Sequence, residues 1–424
     1  MSSVTPHNAA TAHVIGAGLA GLAAAIRLAR AGWRVSLYEA AQQAGGRCRS
    51  YVDAELGCRI DNGNHLVVSG NLAAMAYISE IGAQATFETV DKAIYPFVDL
   101  ATGESWQVRP TEGRVPWWLF VPARRVKGTS LLDYLDAERL ARAGESAVVT
   151  DILNTRKVAY RRLWAPLCVA ALNTAPEEAS AKLLGRLFRD TFGQGGAALH
   201  PLLPREGLSE SLVDPALGNL AAHQSSIQYG HRLRSVTFEG GRVAGLDFGK
   251  AAVTVNAGDC VVLAVTAPVA TDLVPDLAAP DAFRGIVNAH FRIDPPAGTA
   301  PFTGVIGGMA EWIFAKPGIL STTSSAAEAI IDRPAEDLAA ALWSDIVRSL
   351  DLGSVAMPVW RVVKEKRATF AATPDQLRRR PGPKTRWENL YLAGDWTDTG
   401  WPSTIEGAIQ SGFTAAAAMP APGR

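Results

Sequence analysis

An apolar run at residues 12–15 passes directly into glycines at 16, 18 and 21. Gly16 permits a tight turn, Gly18 lets the backbone approach a pyrophosphate with no Cβ in the way, and Gly21 lets a following helix pack closely on the strand. Residues 19–31 carry the helical pattern, with Leu22, Ala25, Ile26 and Ala29 on one apolar face. Gly32 stands where a glycine ends a helix. A second strand-like run at residues 34–38 leads to Glu39, 18 residues beyond Gly21, the place of the acid that bonds a ribose diol. Leu19 and Ala20 at the helix start, and Ala40 beside Glu39, belong to the same expected site. Strand, glycines, helix, strand and acid in this order predict a dinucleotide-binding α/β unit.

The unit occupies a small part of 424 residues, so more than one domain is expected. Hydrophobic residues make up 48% and charged residues 19%, which supports a large core and excludes global disorder. Lys+Arg and Asp+Glu both number 41, a balance that argues against a general nucleic-acid binder. None of the four cysteines (Cys48, Cys58, Cys168, Cys260) forms a C-x-x-C pair, so neither zinc nor a redox dithiol is signalled, and no metal is expected. Residues 1–12 are small and polar and read as a loose tail, not a secretory leader. No apolar run reaches the ~18–20 residues of a membrane span, and a cytoplasmic protein is expected. The apolar run at residues 261–270 is read as a strand ending in a turn at Pro268.

Three further segments carry the cofactor signal. Gly45-Gly46-Arg47-Cys48-Arg49-Ser50 follows the acidic residue, and Arg47 can set a fork of donors on an anionic ligand. Asp61-Asn62-Gly63-Asn64-His65 follows a β-like stretch. Near the far end, a strand at residues 389–393 runs into Gly394-Asp395, and residues 404–415 form a helix that Thr404, Ile405 and Ala408 open. Its N-terminal N–H groups and dipole suit the negative charge of a reduced ring. Gly407, Ala408 and Gly412 are expected to allow close packing on that ring. These segments resemble the FAD-dependent amine oxidase and phytoene desaturase superfamily over the whole chain. The resemblance implies FAD, with Gly46 and Arg47 near its ribose and phosphates, Gly63, Asn64 and His65 at the isoalloxazine, and Asp395 on the ribityl or phosphate side.

The implied architecture is α/β: a Rossmann-like, glutathione-reductase-type FAD-binding domain with an inserted mixed α+β substrate domain. The FAD-binding domain takes residues 1–85, 203–270 and 385–424, and the substrate domain takes 86–202 and 271–384. A β-meander through residues 226–265 is similar to the family segment whose backbone contacts adenine, here at Leu233. Gly193-Gln194-Gly195-Gly196 and residues 304–308 lack the strand–turn–helix context of a second nucleotide site. Trp117, Trp118 and Phe120, followed by Arg124, Arg125 and Lys127, fit an interfacial membrane patch or the mouth of a lipid tunnel, or equally a buried aromatic cluster beside a solvated loop. Trp312, with Phe314, Trp343 and Trp360, reads as core or tunnel wall.

More narrowly, residues 59–65, 127–135, 164–174 and 365–370 resemble the branch of hydroxysqualene dehydroxylases, or squalene-associated FAD-dependent desaturases. That resemblance implies reductive removal of an allylic hydroxyl from a C30 isoprenoid, with peripheral contact to a membrane and to upstream terpenoid-synthesis enzymes. Hydroxide leaves poorly, so a general acid is needed. His65 is the first candidate and Glu311, beside Trp312, the second. Trp117, Trp118, Phe120, Trp312 and Trp401 are expected to contact substrate, and an aromatic face can stabilise a cation. Three alternatives remain at this point: an oxidative carotenoid-type desaturase, an oxygen-using amine oxidase, and a flavin-bound partner protein without turnover.

Overall fold

The computed structural model describes residues 10–90 and 92–422. The strand Thr11–Ile15 lies at the centre of a five-stranded, fully parallel sheet. The order is Ser226–Gln228, Arg34–Tyr38, Thr11–Ile15, Cys260–Leu263, Leu390–Leu392, so the beginning, middle and end of the chain meet in one sheet. Every residue of Cys260–Leu263 is buried, as expected of a parallel strand covered on both faces. The helix Leu19–Arg30 packs on this sheet and ends as its pattern predicts, with Ala31 as C-cap and Gly32 at φ +92°.

The final helix, Ile405–Ala418, lies against Leu19–Arg30. Gly412 sets the distance between them: a Cβ there would stand 2.2 Å from the Ala20 carbonyl oxygen and 2.9 Å from Ala23 Cβ. Gly412 therefore serves helix–helix packing, not packing on a cofactor ring as its sequence context suggested. The predicted meander is present as Ser235–Glu239, Arg242–Asp247 and Ala252–Thr254. Gly240 and Gly241, at φ +54° and +80°, make its first turn. Pro268 departs from expectation. It lies in the first turn of a helix, Ala267–Leu273, where the missing N–H removes no intrahelical bond.

A second sheet has seven strands, in the order Trp360–Phe370, Phe283–Phe291, Ile319–Ser324, Trp312–Lys316, Phe302–Ile306, Tyr95–Asp99, Glu104–Val108. All its pairings are antiparallel except that between Tyr95–Asp99 and Phe302–Ile306. The helix Ala335–Leu350 buries Leu338, Ala339, Leu342 and Ile346 in a core shared with Val287, Ala289 and Phe291. A parallel sheet under helices joined to a mixed sheet with its own helix is the α/β architecture that the motifs imply.

Candidate functional site

The glycine turn shows two kinds of constraint. Gly16 has φ +104°, and a Cβ there would meet the Ala264 carbonyl oxygen at 2.4 Å. At Gly21 a Cβ would stand 1.9 Å from the Gly16 carbonyl oxygen. The protein itself demands glycine at both. Gly18 is different: its backbone is extended (φ −74°, ψ 175°), and a Cβ would meet no protein atom within 4 Å. Packing does not require glycine there, whereas a diphosphate running along the backbone does. Gly18 is also the N-cap of Leu19–Arg30 and offers no side-chain cap, which leaves the N–H groups of Leu19 and Ala20 for an acceptor outside the helix. Gly46 backs directly onto this turn, with its Cβ position 3.5 Å from Gly18 Cα.

Glu39 stands at the tip of the second strand. Its two carboxylate oxygens accept the N–H groups of Ala17 and Ala41, each at 2.8 Å. These bonds fix the carboxylate beside the glycine turn and leave further lone pairs for a diol. Ala40 is exposed at its side. The loop after the strand Ser226–Gln228 returns here, with His231 N–H donating to the Glu39 carbonyl at 2.8 Å. Leu233 is buried two residues later, and neither its N–H nor its carbonyl has a protein hydrogen-bond partner among the described residues. Backbone groups left in that state suit the edge of an adenine.

Arg47 and Asp395, 348 residues apart, form the hinge between the two ends of the chain. Arg47 donates to Asp395 Oδ1 at 2.7 Å and also reaches the Ala368 carbonyl. Ser403 Oγ donates to Asp395 Oδ2 at 2.7 Å. Burial alone would push the Asp395 carboxyl up, but the Arg47 charge and these hydrogen bonds hold it below the usual carboxylate range. Gly394 sits beneath it at φ +152°, against the Trp396 ring. Arg380, which no motif marks, is buried and clamps the loop through the carbonyls of Asp395 and Thr397. Beyond this loop Thr404 is the N-cap of the final helix, its Oγ1 accepting Gly407 N–H at 3.1 Å. The N–H groups of Ile405 and Glu406 have no hydrogen-bond partner among the described residues, and Ala408 N–H closes the first turn on Thr404.

The segment after Asp61 lies against the second sheet. Asp61 itself accepts from Ser50 Oγ at 2.6 Å and Leu208 N–H at 2.8 Å, and pairs with Lys316 of that sheet at 3.3 Å. A Cβ at Gly63 would stand 3.2 Å from Asn288 Nδ2. Asn64 Nδ2 donates to Thr323 Oγ1 at 3.2 Å. His65 is half-buried and its ring has no hydrogen-bond partner among the described residues. Burial lowers its pKa, Asp61 opposes that shift, and Arg47 reinforces it. The ring is therefore neutral at pH 7, which makes it a poor proton donor.

A cavity of about 460 Å³ opens between the second sheet and the helix Ala165–Leu172. Phe97, Val169 and Trp312 give it an apolar wall, and Tyr160, Arg161 and Glu311 bring the polar groups. Tyr160–Trp164 is a turn of π-helix, which widens the backbone where Tyr160 and Arg161 line the cavity. Arg162, in the same turn, is buried and bonds Asp99 and Glu104, holding the turn to the edge of the sheet. Asn173, in the left-handed conformation that ends the helix, ties it to Ala326 N–H and Thr369 Oγ1. A Cβ at Gly304 would strike the Phe97 ring at 2.3 Å, so glycine lets that ring lie flat.

Glu311 is the notable titratable group of this cavity. Its Oε2 accepts Ser325 N–H at 2.8 Å. Burial nevertheless pushes the carboxyl up to about 7. Its backbone N–H donates to the Thr323 carbonyl at 3.0 Å, so Thr323 joins the acid at the cavity wall to the Asn64 segment. Of the five aromatic residues expected at substrate, only Trp312 lines this cavity. Trp118 is buried against Tyr134, whereas Trp117 and Phe120 are exposed. A tight 3₁₀ turn sends neighbouring side chains to opposite sides, which separates Trp118 from the other two. Trp401 stands in the loop before the final helix, with its backbone N–H on Thr399 Oγ1 and its Cβ near Gly407.

A parallel sheet with a cofactor-shaped glycine turn, closed from the far end of the chain by Asp395, defines a flavoprotein oxidoreductase. Residues 19–420 match the flavin containing amine oxidoreductase family, and the chain belongs to it. Within that family it belongs with the hydroxysqualene dehydroxylases. The relative of that name from Rhodopseudomonas palustris is 50% identical over 98% of this chain and 99% of its own length. The one from Zymomonas mobilis is 42% identical over 95% of this chain and 97% of its own. The fold is also that of cyclohexylamine oxidase from Brevibacterium oxydans, at a TM-score of 0.71 and 16% identity, covering 97% of this chain and 98% of that one. The protein is thus a flavin-dependent oxidoreductase, and the bare backbone at Gly18 fits the phosphates of its cofactor.

Proposed function

We propose that the flavin is FAD and that the protein removes the allylic hydroxyl of hydroxysqualene reductively, giving squalene. Support for FAD over a smaller flavin comes from the full ADP-side set: the Gly18 turn, the anchored Glu39 and the unpaired Leu233 backbone. When bound, reduced FAD supplies the hydride that replaces the hydroxyl.

Glu311 carries the reading. At neutral pH a carboxyl pushed up to about 7 is substantially protonated. It is therefore able to donate its proton to the hydroxyl oxygen as the C–O bond breaks, so that water leaves and not hydroxide. The faces of Trp312 and Phe97, on the same wall, stabilise the allylic cation that remains. The apolar lining keeps water away from that cation until hydride arrives. Glu311 then regains a proton from solvent. His65, neutral and without partners, contributes packing at the ring, and the acid role passes from it to Glu311.

The test is Glu311→Gln, which keeps shape and removes the proton donor. Squalene formation from hydroxysqualene should fall about 10²–10⁴-fold, while the bound-flavin spectrum stays unchanged. A variant that keeps full activity overturns the assignment of the acid.

A further inference from the structure

The segment between the second sheet and the cavity helix carries a feature that the reaction does not use. Two short 3₁₀ turns, Trp117–Phe120 and Leu131–Leu135, stand side by side. Their inward members pin them together: Trp118 and Tyr134 are buried, with rings 5.4 Å apart edge to face. Tyr134 Oη also accepts Val126 N–H at 3.0 Å. Their outward members are large and apolar. Trp117 is 64% exposed, Phe120 63%, Leu132 68% and Leu135 58%. Side chains three apart on a 3₁₀ turn eclipse one another. Each turn therefore presents a matched pair, Trp117 with Phe120 and Leu132 with Leu135, and the first pair's rings lie 5.7 Å apart. Two such exposed apolar pairs, on turns pinned together by Trp118 and Tyr134, are the kind of surface that marks an interaction site.

Charge identifies the partner. The whole chain is neutral, yet residues 109–135 hold five basic and two acidic residues. Arg114 and Arg124 flank the aromatic turn and are exposed. A second copy of the chain would bring the same excess of positive charge against itself across a two-fold contact. An anionic lipid surface meets both properties: its headgroups pair with arginine, and its acyl boundary accepts Trp, Phe and Leu. We propose that this patch docks the protein on an anionic bilayer. Trp118 and Tyr134 belong to the same buried aromatic layer as Phe302 and Phe314, against which the cavity residues Phe97 and Trp312 pack. The docked face is thus backed by continuous apolar packing that reaches the cavity wall.

Docking is independent of the reaction, so it is measured without turnover. Flavin-loaded full-length protein is sedimented with vesicles of phosphatidylcholine alone and of phosphatidylcholine with phosphatidylglycerol. Binding is expected to the anionic vesicles and to weaken as salt is raised. The double variants Trp117→Ser/Phe120→Ser and Leu132→Ser/Leu135→Ser should each bind about tenfold more weakly, with wild-type melting temperature and flavin content confirming the fold. Equal binding of wild type and both folded variants overturns the proposal, as does no binding to either vesicle. So does concentration-dependent dimerisation that the same substitutions abolish, because the patch would then be a contact between copies.

Discussion

Burial acts on the two candidate acids, His65 and Glu311, with opposite consequences. It lowers the pKa of His65, so the proton is lost early, and raises that of Glu311 to about 7, so the proton is kept. The acid form of Glu311 is present below that value and disappears above it. Dehydroxylation should accordingly decline as pH rises through about 7, and a pH–rate profile in Glu311→Gln should lose that limb. Arg47 makes a different residue-scale prediction. Its guanidinium holds the buried Asp395 carboxyl below the usual range, so the stabilisation is present above the unfolded value and is lost as pH falls through the lower folded one. Arg47→Met leaves that carboxylate unpaired. Because the Arg47 side chain is 37% exposed, we expect a cost of about 1–3 kcal/mol, below that of a fully buried pair. Denaturation at pH 7 and at pH 3 measures it, and the difference between variant and wild type should shrink in acid.

The two helices that cover the parallel sheet meet through an absent side chain. Gly412→Val would drive Cβ and two methyls into the Ala20 carbonyl and Ala23. The final helix would then shift away from Leu19–Arg30 and move its N-terminus relative to the glycine turn. We expect destabilisation of about 1–3 kcal/mol and weaker retention of flavin on gel filtration; unchanged melting and flavin content would contradict this packing account. Sequence made such elements legible to different depths. The spacing of Gly16, Gly18 and Gly21 and the stop at Gly32 are local, and the helix they frame appears as read. The partner of Gly412 is 392 residues away in sequence, and no local pattern identifies it. In the structure, Thr404 is the cap, Ser403 bonds Asp395, and Glu406 reaches across to cap the start of Leu72–Glu80 through the N–H groups of Ala73 and Ala74. Composition also could not rank the acids, because the burial that sets them apart is created by the second sheet.

At the scale of the molecule, one sheet gathers strands from both ends of the chain, and the other sheet lines a cavity. The family resemblance named the architecture from motifs at the two ends of the chain, and the branch from segments between them. It did not locate the cavity, since Phe97 and Arg161 come from segments without motifs. It also grouped Trp117 and Phe120 with Trp312, which the fold separates into an outer surface and an inner wall. The central claim is reductive replacement of hydroxyl by hydride at the flavin. The most direct measurement reduces the holoprotein without oxygen in D₂O, where the transferable flavin hydrogen exchanges with solvent, then adds hydroxysqualene. The account predicts that oxidised flavin returns in step with squalene, and that the squalene carries a single deuterium at the former carbinol carbon. Flavin that stays reduced, or squalene without that deuterium, would contradict it.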